Sequence, residues 1–385
     1  MPPRLGHCPE ACKGGNRMRD DRLTQIARQL VNRSVALRKG EHLLISCTGA
    51  ENPLVLEIIR CAYEVGGYPH LDIQNHTLKK QVLLSYDEEA ARVDAAWEAA
   101  RMERMDASIS VVTTDNPMEL GEVPAEKLAL YARLVGQPVN RRRREGAVRW
   151  CVALYPTPFY AYSAGMSLSR FEDYYFQVCC LDYGRLGEAM DRLKALMERT
   201  DRVRILRAGT DLSFSIRGIS KMCSKGERNL PDGEVYTAPV RESVNGTIAF
   251  NVPSTYQGVR FEGVTLRFKE GRVAEATANH AQALRGILDI DEGARFVGEF
   301  AFGLNPYLHT PIGQTLFDEK ICGSIHLALG HALDLTDNGN RSAIHWDLVA
   351  ILRGDHGGEV YFDGALVQKD GLFLPEALAG LNPLV

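Results

Sequence analysis

The segment Ile325–Asp347 reads IHLALGHALDLTDNGNRSAIHWD, and it decides how the second half of the chain is interpreted. Near its end, one apolar residue separates His345 from Asp347. Alternate side chains of a β-strand point to the same face, so this imidazole and carboxylate would share a face. The pattern is typical of half a site for zinc, cobalt, manganese or iron(II). The alternative is that His326 and His345 are hydrogen-bonded residues of the core.

Length, charge and cysteine content limit the class of protein. A chain of 385 residues is long for one hydrophobic core, so two domains are expected. A net charge of -4 gives no support for nucleic acid as a partner, and no apolar run approaches the about 18 residues of a membrane span. Nine cysteines without a CxxC pair indicate a reducing, cytoplasmic protein. Residues 1–17 lack a core-forming pattern and are expected to form a disordered tail.

The first half of the chain alternates helical patterns with short apolar runs. The predicted strands are His42–Cys47, Pro69–Ile73, Ser108–Thr113 and Val148–Leu154. Strands separated by helices predict an α/β domain with a doubly wound, mostly parallel sheet, which we assign to residues 18–195. The basic run Arg141–Arg144 is interpreted as the solvated end of a helix rather than a nucleic-acid patch.

The pattern changes near residue 200. Strands are predicted at Val203–Leu206 and Asp211–Ile216, and the run Val264–Phe268 is expected to pair with Val273–Ala278. The expected turns between strands are Asn245-Gly246, Glu270-Gly271, Asp363-Gly364 and Asp370-Gly371. These features predict a second domain, residues 196–385, that is α+β and largely antiparallel.

Two further carboxylates stand out in this second half. Glu234 follows a turn and begins a strand, and Glu299 interrupts an aromatic face in the helix-like stretch DEGARFVGEFAFG. A buried carboxylate needs a partner, and a metal ion would supply one. With His326, His345 and Asp347, these residues suffice for two divalent ions, the composition of a dinuclear hydrolase. Ordinary salt bridges at Glu234 and Glu299 are the alternative.

Several long motifs resemble the thermophilic metallo-aminopeptidases over nearly the whole chain from Met18. They are LPDGEVYTAPVRESVNGTI, LDIDEGARFVGE, LFDEKICGSIHLALG, NRSAIHWDLV and GGEVYFDG. The resemblance implies an α/β domain, a metal-binding C-terminal domain and a homodimer that acts on peptides or small amides. It also implies two divalent ions, zinc or cobalt with manganese as a further option. The matching metal ligands are Glu234, Glu299, His326, His345 and Asp347, and Glu299 is also expected to take part in catalysis.

One position departs from the family pattern. The family has a tyrosine, regarded as catalytic, seven residues after the first metal histidine, whereas Leu333 stands there in this chain. Leucine cannot donate a hydrogen bond to an oxyanion. His331 is predicted to substitute for the tyrosine, with two other candidates, Tyr236 and Tyr256. The expected general base is a free carboxylate, for which Glu242 and Asp318 are candidates.

This departure keeps two other functions open. The first is a non-haem iron(II) dioxygenase of the related hydroxypyridine branch, with His326, His345 and Asp347 as its iron ligands. The second is a catalytically silent homodimer that metal stabilises. Glu234 and Glu299 favour the hydrolase, because a single iron does not need them.

Overall fold

The computed structural model describes residues 20–48, 52–113, 116, 118–144, 146–354 and 357–382. The expected disordered tail at residues 1–17 lies outside these ranges. Helices and strands alternate in the first part of the chain: α1 Asp21–Arg28, β1 His42–Thr48, α2 Pro53–Glu64, β2 Tyr68–Gln74, α3 His76–Leu84, α4 Glu88–Glu103, β3 Ala107–Val112, α5 Ala125–Tyr131, α6 Gln137–Arg144, β4 Arg149–Leu154, α7 Pro158–Ser163, α8 Leu168–Cys179 and α9 Tyr183–Arg199.

Polar side chains cap several of these helices as the sequence suggests. Asp20 accepts a hydrogen bond from the Arg22 amide at the start of α1, and Asn52 accepts one from Leu54 at the start of α2. Strands β1 to β4 pair in parallel in the order β2-β1-β3-β4. The predicted α/β domain is therefore confirmed, and we call its sheet the parallel sheet.

Strands dominate the rest of the chain. They are β5 Arg202–Arg207, β6 Thr210–Ser215, β7 Met222–Ser224, β8 Asn229–Leu230, β9 Glu234–Thr237, β10 Asn245–Ala249, β11 Ser254–Tyr256, β12 Val259–Phe261, β13 Thr265–Lys269, β14 Arg272–Thr277, β15 Val297–Gly303, β16 Ser324–Gly330, β17 His345–Ile351, β18 Gly358–Phe362, β19 Ala365–Lys369 and β20 Leu372–Phe373. The helices among them are α10 Ala281–Leu288 and the short α11 Thr315–Asp318.

Two large antiparallel sheets form from most of these strands, as expected for an α+β domain, and β11 pairs with β12 in a separate two-stranded sheet. One has eight strands in the order β14-β13-β10-β6-β5-β18-β19-β20. The other, which we call the central sheet, has the order β17-β16-β15-β9-β7. Strand β8 instead extends the parallel sheet by pairing with β4, so the second half of the chain contributes to both parts of the fold. The division after residue 195 stays a prediction.

Two local expectations are wrong, one at Asn245-Gly246 and one at Glu299. Asn245-Gly246 is not a turn but lies within β10, where a Cβ on Gly246 would come 2.1 Å from the carbonyl oxygen of Asp211. Glu299 does not lie in a helix but in β15. The helix-like signal produces only a short 3-10 turn over Glu292–Arg295 before the strand begins. Pairing with neighbouring strands overrides local helix propensity here.

Three smaller expectations concern the surface and the thiols. Arg141–Arg144 does end a helix, α6. Among the residues that the structure describes, the cysteines are free thiols and no helix is long and apolar enough to cross a membrane.

Candidate metal centre

One face of the central sheet carries the five residues that the motifs indicate. Strand β9 supplies Glu234, β15 supplies Glu299, β16 supplies His326, and β17 supplies His345 and Asp347. Residues opposite each other in an antiparallel pair share a face, and the register aligns these side chains across the strands. The sequence prediction that His345 and Asp347 project from one face of a strand is therefore confirmed.

Small residues on the same face leave room for these long side chains. Ala328 lies between Glu299 and Asp347 across the sheet, and Ala301 lies beside His326. The register of β15 shifts next to Gly298, where a Cβ would come 2.5 Å from the carbonyl oxygen of Gly330. This bulge requires glycine and turns Glu299 onto the face that carries the histidines.

The carboxylates and imidazoles lie within reach of a shared ion. His326 Nε2 lies 3.5 Å from Glu234 Oε2 and 3.6 Å from Glu299 Oε1. His345 Nε2 lies 3.3 Å from Glu299 Oε2 and 3.4 Å from Asp347 Oδ1. Each oxygen of Glu299 therefore faces a different imidazole. Glu299 thus belongs to two candidate groups of metal ligands, one with Glu234 and His326 and one with His345 and Asp347.

Two adjacent residues that the sequence reasoning missed complete the cluster. Glu319 groups with His326 and Asp347, with ligand atoms within 4.8 Å of one another. Lys320 is buried beside it, with Nζ 2.8 Å from Glu319 Oε1 and 2.6 Å from Glu234 Oε1. Both residues follow the short helix α11, where no strand or helix periodicity marks them. The charged pair within the apolar motif LFDEKICGSIHLALG was the available signal.

Acidic groups outnumber basic ones in this buried cluster. Asp232 is fully buried and 3.9 Å from Lys320 Nζ, and burial raises the pKa of its carboxyl to about 7. Burial likewise raises the pKa of Glu319 to about 8, even though Lys320 lies beside it. Burial opposes the charged form of Glu299, yet the two histidines hold the pKa of its carboxyl well below its usual value.

The neighbouring acids raise the pKa of both histidines. Burial would lower the pKa of His326, but contact with Glu299 and the charge of Glu234 outweigh it and raise that pKa to about 9. The pKa of His345 is also raised by Asp347 and Glu299 against the effect of burial. Without a metal ion, protonated imidazoles therefore lie beside the carboxylates. A divalent cation would compete with these protons for the same ligand atoms.

Two orphaned atoms test whether the cluster fits a metal ion. Glu234 Oε2 and His326 Nδ1 are buried without a hydrogen-bond partner among the described residues. A buried carboxylate oxygen without a donor is costly, and it faces the imidazole Nε2 that would bind the same ion. Imidazole nitrogens and carboxylate oxygens suit zinc, cobalt and manganese, so the residues fit divalent cations.

A cavity of about 470 Å³ opens onto this cluster. Its walls combine the acids and His345 with residues from β4, β7, β8, β9 and the loop after β16. They are Trp150, Ser224, Arg228, Asn229, Glu234, Tyr236, Glu299, Glu319, His331, Ala332, Leu333, Asp334, Leu335, His345 and Asp347. This size is within the range of about 300–1,000 Å³ that is usual for ligand pockets.

The candidates for the missing tyrosine differ in position. His331 and Leu333 both line the cavity. The main-chain oxygen of His331 lies 2.8 Å from His345 Nδ1, so it orients the His345 ring. Tyr236 lines the cavity and lies two residues after Glu234 in β9. Tyr256 instead stacks on the Trp346 ring, with the ring centroids 5.0 Å apart.

The two candidates for the general base lie elsewhere. Glu242 is exposed and forms an ion pair with Arg241 at 3.0 Å. The buried Asp318 carboxylate accepts hydrogen bonds from the amides of Ile312 and Gly313. Neither residue lines the cavity, whereas Glu319, next to Asp318, does.

Comparisons with known proteins agree with this geometry. Residues 19–355 match the profile of the family described as thermophilic metalloprotease (M29). Aminopeptidase AmpS of Bacillus subtilis (strain 168) is 26% identical over 374 residues, which cover 85% of this chain and 88% of that protein. Aminopeptidase 2 of Geobacillus stearothermophilus is 26% identical over 80% of this chain and 83% of that protein.

Solved structures show the same fold. Wild-type AmpT from Thermus thermophilus superposes with a TM-score of 0.79 at 24% identity, covering 92% of this chain and 99% of that chain. 2,5-Dihydroxypyridine dioxygenase from Pseudomonas putida KT2440 gives a TM-score of 0.60 at 13% identity, covering 92% and 98%. These structural likenesses concern the fold alone. The family match extends over most of the chain, so this protein belongs to the thermophilic metalloprotease family (M29) and is a metal-dependent peptide hydrolase.

Proposed function

We propose that this chain is an aminopeptidase that holds two divalent cations and removes N-terminal residues from short peptides. The observation that carries the proposal is the position of Glu299, whose two oxygens face His326 and His345 separately. Curated relatives named as aminopeptidases support the peptide substrate. The proposed ligands are two imidazoles and four carboxylates: Glu234, Glu299, Glu319, His326, His345 and Asp347.

The chain's own residues would prepare this site in several ways. Bound divalent cations supply activation of water and polarisation of the scissile carbonyl. Lys320 holds one oxygen of Glu234, so the other oxygen stays directed at His326. The His331 carbonyl fixes the ring of His345 with Nε2 toward the acids. These contacts keep the ligand atoms in place before a cation binds.

Tyr236 is our candidate for the hydrogen-bond donor that Leu333 cannot provide. It lies on the same face of β9 as Glu234 and lines the cavity. Its phenol is protonated at neutral pH, and burial together with Glu299 raises its pKa further. We assign its hydroxyl to the substrate oxygen that becomes negatively charged during hydrolysis. Leu333 then serves as an apolar part of the cavity wall.

The iron(II) dioxygenase is the second candidate because a protein of that activity shares the fold. The ligand clusters argue against it. Each of the three clusters found in the described part of the chain contains a glutamate, and none joins both histidines to Asp347. A ring-cleaving site with one iron held by His326, His345 and Asp347 would leave Glu234 and Glu299 without a role as metal ligands.

Metal counting combined with a peptidase assay tests the proposal. Protein purified without added metal should contain two divalent ions per chain, of which zinc, cobalt and manganese are the expected identities. It should release the N-terminal residue from leucine amides, and chelation followed by dialysis should abolish that release. One iron per chain together with oxygen-dependent ring cleavage would instead support the dioxygenase. Bound metal without turnover of any of these substrates would support the silent, metal-stabilised homodimer.

A further inference from the structure

The wall of the cavity also contains a cationic side chain. Arg228, which precedes β8, lines the cavity together with Trp150 of β4 and with Asn229. Arg228 Cζ lies 5.2 Å from the centroid of the Trp150 ring. Because β4 and β8 are neighbours in the parallel sheet, the two parts of the fold meet in one cavity.

Arg228 differs from other arginines that lie near acidic residues. Arg204 forms an ion pair with Asp211 at 2.8 Å, and Arg341 forms one with Asp337 at 2.6 Å. For Arg228, the described residues provide the Trp150 ring as a contact and no carboxylate within ion-pair distance. Stacking on an aromatic face restrains a guanidinium while its edge stays available for a planar anion. Within the described part of the chain, this cation therefore lines the cavity without an anionic partner.

We propose that Arg228, held over Trp150, binds a carboxylate of the substrate. Arg228 would thereby determine specificity for short acidic peptides. This inference rests on the aminopeptidase function proposed above. The cations would hold the peptide bond beside the acids of the cluster. The remaining substrate would then extend toward Arg228, where a guanidinium can form two parallel hydrogen bonds with a carboxylate.

Peptide length and the position of the acid decide which carboxylate reaches Arg228. An extended chain spans about 3.3–3.6 Å per residue, so a dipeptide and a tripeptide place their C-terminal carboxylates at clearly different depths. An acidic side chain at the second position offers the same chemistry from another place. Among the described residues that line the cavity, Arg228 is the one arginine or lysine.

Paired substrates test the proposal. We would compare kcat/KM for Leu-Gly and Leu-Gly-Gly with their C-terminal amides, and include Leu-Glu amide to detect side-chain recognition. The wild type should prefer at least one free acid over its amide by about 10-fold, as expected for a charged hydrogen-bond pair. Arg228→Gln should remove this preference, so that the ratio of kcat/KM for acid and amide falls to about one. Arg228→Lys should retain only part of it, because lysine lacks the planar fork.

A control variant isolates the cavity from general charge effects. Arg217 is 80% exposed, pairs only loosely with Asp201 at 3.7 Å and does not line the cavity. Arg217→Gln should therefore keep the acid-to-amide ratio of the wild type. An equal ratio in the wild type and in Arg228→Gln, with brisk hydrolysis of all substrates, would overturn the carboxylate subsite but not the aminopeptidase.

A binding measurement covers the case in which no peptide is hydrolysed. Titration of the metal-loaded protein with N-acetylglycine should change the Trp150 fluorescence saturably, and N-acetylglycinamide should not. Arg228→Gln should weaken the response about 10-fold, and Trp150→Phe should remove the signal. If hydrolysis is absent but this pattern holds, the subsite stands and the aminopeptidase proposal fails. A response that is the same in Arg228→Gln overturns the subsite.

Discussion

The cavity on the parallel sheet and the cavity on the central sheet both contain charged residues, and these charges are stabilised in opposite ways. The cavity on the parallel sheet, about 250 Å³, includes Asp72, Glu98 and Arg101. Arg101 pairs with both acids, at 3.1 Å and 2.6 Å, and their side chains keep 21–30% of their surface exposed. Water and the guanidinium together stabilise these charges, so no further ion is needed.

The cavity on the central sheet lacks this compensation. Side-chain exposure is 1% for His326, 7% for Glu234 and 5% for Glu299, and the acids of the cluster outnumber Lys320 and the two histidines together. Burial of unbalanced charge is expensive unless a counter-ion is bound. The degree of burial, more than the number of acids, therefore distinguishes a metal site from a solvated charge cluster.

Removal of a proposed ligand should give the largest effect. His345→Ala should lose metal and peptidase activity together, by more than the about 10- to 100-fold that loss of an outer hydrogen-bond partner costs. The matched control is Glu242→Ala, since Glu242 is exposed and outside the cavity. Metal analysis and kcat/KM are the measurements. Full metal occupancy in His345→Ala would contradict the ligand assignment.

The phenol of Tyr236 should give the next largest effect. Tyr236→Phe should lower kcat by about 100- to 1,000-fold with little change in metal content, as is typical for loss of an oxyanion donor. In that background, Leu333→Tyr should recover part of the loss, whereas the same change in the wild type should raise kcat less. Steady-state kinetics of the four proteins measures the coupling. An unaltered kcat in Tyr236→Phe would return the role to His331.

Sequence patterns predicted the framework of this site but not all of its members. Alternation within a strand was enough to place His345 and Asp347 on one face, because side-chain direction there depends only on local geometry. The helix predicted around Glu299 was wrong, because the contacts that convert it into a strand come from β9 and β16, far away in the chain.

The sequence analysis missed Glu319 and Lys320 for a different reason. Neither belongs to a strand or a long helix, so periodicity carries no information about where their side chains point. Tertiary packing brings them beside Glu234, 85 residues away in the case of Glu319. Tyr236 could be proposed from its type alone, and the structure then placed it in the cavity while directing Tyr256 onto Trp346.

Loss of the buried lysine should affect stability more than activity. Lys320→Met removes the cation between Glu234 and Glu319, and breaking a buried pair typically costs about 3–5 kcal/mol. The loss should be largest in metal-free protein, because bound divalent ions would neutralise the same acids. Urea unfolding with and without a chelator measures this difference. Lys369→Met is the control, since Lys369 is 52% exposed and pairs with Glu359 at the surface.

The corresponding change in the other cavity should have the smallest effect. Arg101→Met breaks the pairs with Asp72 and Glu98, but water can solvate both acids because they are 21% and 28% exposed. The unfolding free energy should fall by at most about 1 kcal/mol, in the range of half-exposed ion pairs, and kcat/KM on peptides should not change. Urea unfolding of Arg101→Met and Lys320→Met under the same metal-free conditions measures both costs directly. Equal losses in the two variants would refute the comparison, since burial would then not be what separates the two cavities.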